Sequence, residues 1–196
     1  MHLGALLGQD LPDFTRERTL TANQTIEVNA FGMNFLRQEG ATPEERRLGA
    51  AKAARYVLDR DLNLFRGALW MKESNRFSNT SVFRAQKVES KTVYYSDILC
   101  ETRAKIKVDS PCKVDEIQYT FAIDPFPDPT NHLAVRALVK ELNGRASAWL
   151  LEKISTERNI TRAITFSFLS KRTVLGSRKD RFTTTILYRV DPSRSE

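Results

Sequence analysis

Only two histidines and two cysteines occur among the 196 residues of this chain, and that scarcity closes off most catalytic and metal chemistry. Nucleophilic catalysis needs a base beside its nucleophile. His2 falls in an irregular N-terminal stretch and His132 in the first turn of a helix, where an unpartnered imidazole is most often a surface residue. A zinc site needs a second cysteine pair or a histidine cluster to complete four ligands, and neither exists. No G-x-S-x-G, Walker, G-x-G-x-x-G or H-E-x-x-H pattern occurs, and no repeat or low-complexity tract either. Apolar runs are short: residues 164–169 are already broken by Thr165 and Ser167, far below the roughly 20 residues that span a bilayer. Residues 1–7 lack the cationic segment and apolar length of a secretory signal. The expectation is therefore no catalytic residue, no cofactor, no metal and no membrane contact. The expected location is the cytoplasm, or a particle assembled there.

Paired carboxylates are the one catalytic pattern that needs testing. Asp124 and Asp128 flank a loop with three prolines in five residues, and Pro127-Asp128 matches the first half of a metal-dependent nuclease motif. The second half, an acidic residue two before a lysine on a following strand, is missing, because Glu89-Ser90-Lys91 precedes it. Aspartate is favoured at strand ends and helix caps for local hydrogen-bonding reasons, so both are read as caps.

What the chain does have is a concentration of positive charge. Residues 145–196 carry 11 Lys+Arg against 5 Asp+Glu, which accounts for nearly all of the formal +7. Lys171, Arg172, Arg178, Lys179 and Arg181 bracket a Gly-Ser turn between two strand-like stretches. A cationic tip of that kind faces something acidic, either phosphate or a neighbouring subunit's carboxylates. Arg103, Lys105 and Lys107 make a second cationic stripe on the outward face of another strand. If a sheet brings the two together, one continuous patch results.

Periodicity supplies the framework. Residues 1–22 have little pattern and read as an extended arm, leaving residues 23–196 as one α+β domain. Residues 23–38 fit a short helix ending at Gly40, or a strand on the alternation Ile26, Val28, Ala30. Thr42-Pro43-Glu44-Glu45 is a capping box, behind which Leu48, Ala51, Leu58, Leu62, Phe65 and Leu69 form the apolar stripe of a long helix. Strands follow at 80–88, 92–99, 100–108 and 114–123, the last two as a hairpin. That geometry keeps Cys100 and Cys112 too far apart for a disulfide. Asp128 caps a second helix to about residue 155, with Leu138, Leu142, Trp149 and Ile154 inward. Strands 161–170 and 182–190 then form a long hairpin carrying the cationic tip. Short turns between consecutive strands imply an antiparallel sheet of about five or six strands with both long helices on one face.

The function expected from these features is a non-enzymatic structural or assembly subunit, in an oligomer or larger complex such as a virion, phage tail or neck. Its arm and basic hairpin would clasp other protein subunits. Two further readings are a sequence-tolerant RNA- or DNA-binding module acting through the same cations, and a small α+β enzyme or ligand-binder with a pocket between sheet and helices. Phe166, Phe168, Phe182 and Tyr188 would be the stacking residues of a nucleic-acid surface, but they share the face assigned to the core.

Overall fold

The computed structural model describes residues 13–34, 41–65, 68–71, 76–79, 85–123, 126–157 and 163–190, with the side chains of 63–71, 76–79, 85, 153–157 and 163–168 excepted. The described chain runs β1 (Phe14–Leu20), β2 (Thr25–Met33), α1 (Pro43–Phe65), β3 (Ala68–Met71), β4 (Arg76–Asn79), β5 (Ala85–Tyr94), β6 (Leu99–Val108), β7 (Cys112–Ala122), α2 (His132–Glu157), β8 (Ala163–Leu175) and β9 (Arg181–Val190). All strand pairs are antiparallel. They build a six-stranded sheet in the order β1-β7-β9-β8-β3-β4 and a three-stranded sheet in the order β2-β6-β5. The α+β class with an antiparallel framework and two long helices follows expectation. A single sheet covered on one face does not: α1 lies on β2 and β6, whereas the apolar side of α2 packs with β7, β9 and the end of β2.

One bent ribbon accounts for the division into two sheets. β1 pairs with β7 from Phe14↔Gln118 to Leu20↔Cys112, and β2 pairs with β6 from Thr25↔Lys107 to Met33↔Leu99. The register passes through the bend without a slip. There the Asn23 amide donates to the Val108 carbonyl at 2.8 Å, and the Val108 amide to the Gln24 carbonyl at 3.0 Å. Asn23 adopts φ 66°, a left-handed conformation that asparagine tolerates better than most residues. In the other strand of the bend, Pro111 has no amide hydrogen to offer a ladder. The hairpin expected from 100–108 and 114–123 is therefore corrected: β6 and β7 are two halves of one bent strand, in different sheets. Cys100 and Cys112 are free thiols all the same.

The arm is corrected as well. Residues 14–20 are an edge strand, held where Arg16 and Arg18 reach the buried Glu116 carboxylate at 3.2 and 3.3 Å. Because most of this strand faces water on both sides, it lacks the apolar alternation that marks a strand. Residues 1–12 lie outside the described part. Within 23–38, residues 25–33 are strand β2; Gly40 lies outside the described residues.

The capping box of α1 forms as expected: the Thr42 amide donates to Glu45 Oε2 at 2.7 Å and the Glu45 amide to Thr42 Oγ1 at 3.2 Å. Of the expected stripe, Ala51, Leu58 and Leu62 are buried and Leu48 is not. Leu48 is 51% exposed, and Ala50, Ala51 and Ala54 face the sheet ahead of Leu58 and Leu62. Small residues let the helix backbone approach β2 at Gly32, where an added Cβ would stand 2.2 Å from the Ala54 nitrogen and 2.7 Å from the Ala50 oxygen. The side chains of Phe65 and Leu69 are not among those described.

Residues 85–94 are one strand, not parts of two. A bulge between Lys87 and Glu89 in the pairing with β6 takes up one extra residue, which reverses the alternation there and hides the continuity. Residues 95–98 form the turn into β6. Asn131 caps helix α2, its Oδ1 accepting from the Ala134 amide at 3.1 Å. Asp128 instead caps a turn, accepting from the Thr130 amide at 2.8 Å. Asp124 lies outside the described residues. Leu138 and Leu142 are buried and Trp149 sits edge-on against Tyr119, with ring centroids 3.7 Å apart. The Ile154 side chain is not described. No described helix is long and apolar enough to cross a membrane.

Gly32→Ala tests the close crossing of α1 and β2. The obstructing atoms are backbone and cannot rotate away, so a loss near the upper end of the 1–3 kcal/mol range for overpacking is expected. It would appear as a lower urea midpoint with an unchanged slope. A midpoint equal to that of the parent chain would contradict the crossing.

Candidate functional site

β2 is the outer strand of its sheet, and the part of β8 beyond its pairing with β3 (Ala68↔Phe166 to Met71↔Ala163) has β9 on one side only. Both strands thus carry backbone groups without a ladder partner in a region closed to water, where such groups must find others. Two asparagine side chains meet that need. Asn143 of α2 accepts from the Phe31 amide at 2.8 Å and donates to the Phe31 carbonyl at 2.7 Å. Asn29 of β2 accepts from the Thr173 amide at 2.7 Å and donates to the Thr173 carbonyl and to Glu101 Oε1.

Glu101 is buried at the centre of a polar cluster. Besides Asn29, it accepts from Tyr95 Oη at 2.6 Å and from Arg103 Nε at 2.8 Å. Burial by itself raises a carboxyl pKa, but the hydrogen bonds from Arg103, Asn29 and Tyr95 outweigh it and hold Glu101 below the ordinary carboxylate value. Tyr95 is pushed up to about 12, first by burial and then by the carboxylate it donates to. Arg103 is raised, chiefly by its hydrogen bond to Glu101.

Arg103 is also the first residue of an exposed row. In sheet β2-β6-β5 the pairs Asn29↔Arg103↔Lys91 and Glu27↔Lys105↔Glu89 lie side by side on the face away from α1. Arg172 of β8 reaches across to the same face and pairs with Glu27 at 2.8 Å. Together these residues line a depression of about 180 Å³. Its rim carries four cations (Lys91, Arg103, Lys105 and Arg172) and two carboxylates (Glu27 and Glu89), while Glu101 sits behind Arg103. Comparison with protein-family models, curated proteins and solved structures finds no match for this chain. The reading of this face rests on its own geometry.

The eight cations expected to form a contact surface divide into four groups. Arg103, Lys105 and Arg172 do come together, joining the β6 stripe to the terminal hairpin. Lys171 does not belong with them: it is buried, with Nζ 3.4 Å from Asp61 Oδ2 and a hydrogen bond to the Asn143 carbonyl. Pairing Lys171↔Ile186 and Thr173↔Thr184 places both β8 residues on the α2 side of the sheet. Burial draws the Lys171 pKa down, and Asp61 opposes that. Arg178 and Lys179 lie in the hairpin turn and Arg181 at its edge, where Arg181 pairs with Asp180 at 3.3 Å. Lys107 lies at the far end of the β6 row, opposite Thr25 and Gln86.

Nor does the hairpin project. β7 runs beside it to the end, with Ala122↔Arg181 paired and the Ile123 amide bonded to the Asp180 carbonyl at 2.9 Å. Lys179 folds back over the Phe126 ring at 4.6 Å. Five of the eight cations have a carboxylate of their own chain: Arg103 with Glu101, Lys105 with Glu89, Lys171 with Asp61, Arg172 with Glu27 and Arg181 with Asp180. Sequence reasoning missed Lys91, Glu27 and Glu89 on this face, and Asn29 and Glu101 beneath it. The alternation of β5 and β6 could have found Lys91 and Glu89; no local signal marks Asn29.

Among the described residues no three His, Cys, Asp or Glu side chains gather as a metal set. His132 is exposed at the start of α2. Phe182 and Tyr188 are buried, and the Phe166 and Phe168 side chains are not described.

A pH titration of stability tests the Glu101 cluster. A carboxyl held below its ordinary value stabilises the fold above that value, and the contribution is lost as pH falls through the folded-state value. Thermal melts of the parent chain should lose stability below about pH 4.5, and Glu101→Gln should remove part of that acid slope while lowering stability at pH 7. Parallel curves for the two proteins would contradict the assignment.

Proposed function

We propose that this protein is a non-enzymatic assembly subunit that contacts an acidic segment of another protein through the depression on sheet β2-β6-β5. The observation that carries this reading is the convergence of Arg103, Lys105 and Arg172, from sequence-distant strands, beside Lys91 on one open face. The side chains of Arg103, Lys105 and Arg172 remain about half exposed despite their carboxylate partners. Exposed ion pairs contribute only about 0–1 kcal/mol, so an incoming carboxylate can replace Glu27 or Glu89 at little cost. Those two glutamates already show the ligand chemistry that the face accepts.

Acidic protein is favoured over single-stranded nucleic acid because the latter needs exposed aromatic platforms, and among the described residues no aromatic lines the depression. Of the four aromatics considered for stacking, the two with described side chains, Phe182 and Tyr188, are in the core.

Fluorescence anisotropy with a labelled poly-glutamate peptide and a labelled oligo-dT of equal charge tests the proposal across a sodium chloride series. The peptide should bind at low salt, and Lys105→Glu/Arg172→Glu should weaken binding by about tenfold, or about 1.4 kcal/mol. Preferential binding of oligo-dT, with a steep salt slope that the variant flattens, would favour the nucleic-acid module instead. Binding of neither probe at low salt would remove both readings.

A further inference from the structure

The free edge of β5 points to a partner of a definite kind. Four strands lie at sheet edges: β1, β4, β2 and β5. β2 is covered, through Asn143 on Phe31 and Asn29 on Thr173, and β4 is only four residues long. β5 has ten residues, is exposed from Gln86 to Lys91, and among the described residues no backbone pairs with its outer side. Natural proteins block such an edge with charges that oppose pairing.

β1 is blocked in this way from Arg16 to Arg18; β5 carries a bulge between Lys87 and Glu89, itself an edge-blocking device, and is regular from Glu89 to Tyr94. In antiparallel self-pairing of β1, a two-fold axis at Arg16 or Arg18 sets that arginine against itself, and one at Glu17 sets Arg16 against Arg18. Along β5 the same test has a different outcome. An axis at Glu89 or Lys91 opposes like charges, but an axis at Ser90 places Glu89 opposite Lys91 of the second copy, twice by symmetry. Glu89 and Lys91 share the outer face, since they pair with Lys105 and Arg103. Cross-strand pairs of opposite charge stabilise a sheet, and like charges directly opposite destabilise it.

We infer that two copies of this chain pair through their β5 edges, antiparallel about Ser90, joining two three-stranded sheets into one of six. Val88 and Tyr94, 57% and 46% exposed in the single chain, lie along the paired stretch. The two depressions then lie on one continuous face, so each dimer offers an acidic partner two equivalent sets of cations. The pairing stands on the β5 edge alone and does not depend on anion binding.

Sedimentation equilibrium without any polyanion tests it. The parent chain should show a concentration-dependent monomer–dimer equilibrium. Lys91→Glu and Glu89→Lys, each alone, oppose like charges across the axis and should be monomeric. An equimolar mixture of the two restores both opposite pairs and should form a one-to-one dimer. Circular dichroism of each variant, expected to match the parent because both residues are exposed, confirms folding. A monomeric parent at all concentrations overturns the inference, as do variants that keep the parent's mass or a mixture that stays monomeric. Loss of poly-glutamate binding with dimerisation intact would remove the proposed function and leave this interface standing.

Discussion

Where the two sheets meet, β2 and the end of β8 run past each other without forming a ladder, and both retain polar backbone groups out of reach of water. Each such group left unpaired costs about 1–3 kcal/mol. Asn29 and Asn143 each present a donor and an acceptor to one residue of the facing strand, which is all that a single peptide unit requires. The contact of β2 with β8, the seating of α2 on β2 and the position of Glu101 depend on these two amides. The same amide of Asn29 donates to Glu101, which in turn orients Arg103, so the interior junction sets the geometry of the exposed row.

The charge distribution illustrates how sequence proximity and spatial proximity part company. The cations of the C-terminal segment are consecutive in the chain, yet alternation in β8 sends Lys171 inward to Asp61 and Arg172 outward to Glu27. What gathers instead are cations from β5, β6 and β8, separated by up to about eighty residues. A buried lysine beside a buried aspartate is costly to desolvate. Its place at the meeting of α1, α2 and β8 makes it a constraint on how these elements fit, more than a source of affinity for anything outside.

Elements with strong local signals were legible before any coordinates. The capping box at Thr42, the period of two in β6 and β9 and the long helix after the proline loop all follow from residues close together in the chain. Long-range choices were not. Nothing local distinguishes a hairpin between β6 and β7 from one bent strand shared by two sheets, because the alternation is the same in both. β1 was hidden by its exposure on both sides, and part of the α1 face by Ala50 and Ala54, which carry little apolar weight while permitting close contact. At the candidate site, the separate stripe on β6 and the arginine on β8 were legible. Their meeting was not, since it depends on the asparagine junction beneath them.

The Phe31 and Thr173 amides bond to side chains, so their exchange with deuterated solvent reports a different event from that of their neighbours. Most strand amides are released only when a ladder opens. The Phe31 hydrogen is freed when α2 lifts from β2, and the Thr173 hydrogen when the two sheets part, each with the ladders intact. These two positions are natural clocks for the docking of one layer on another.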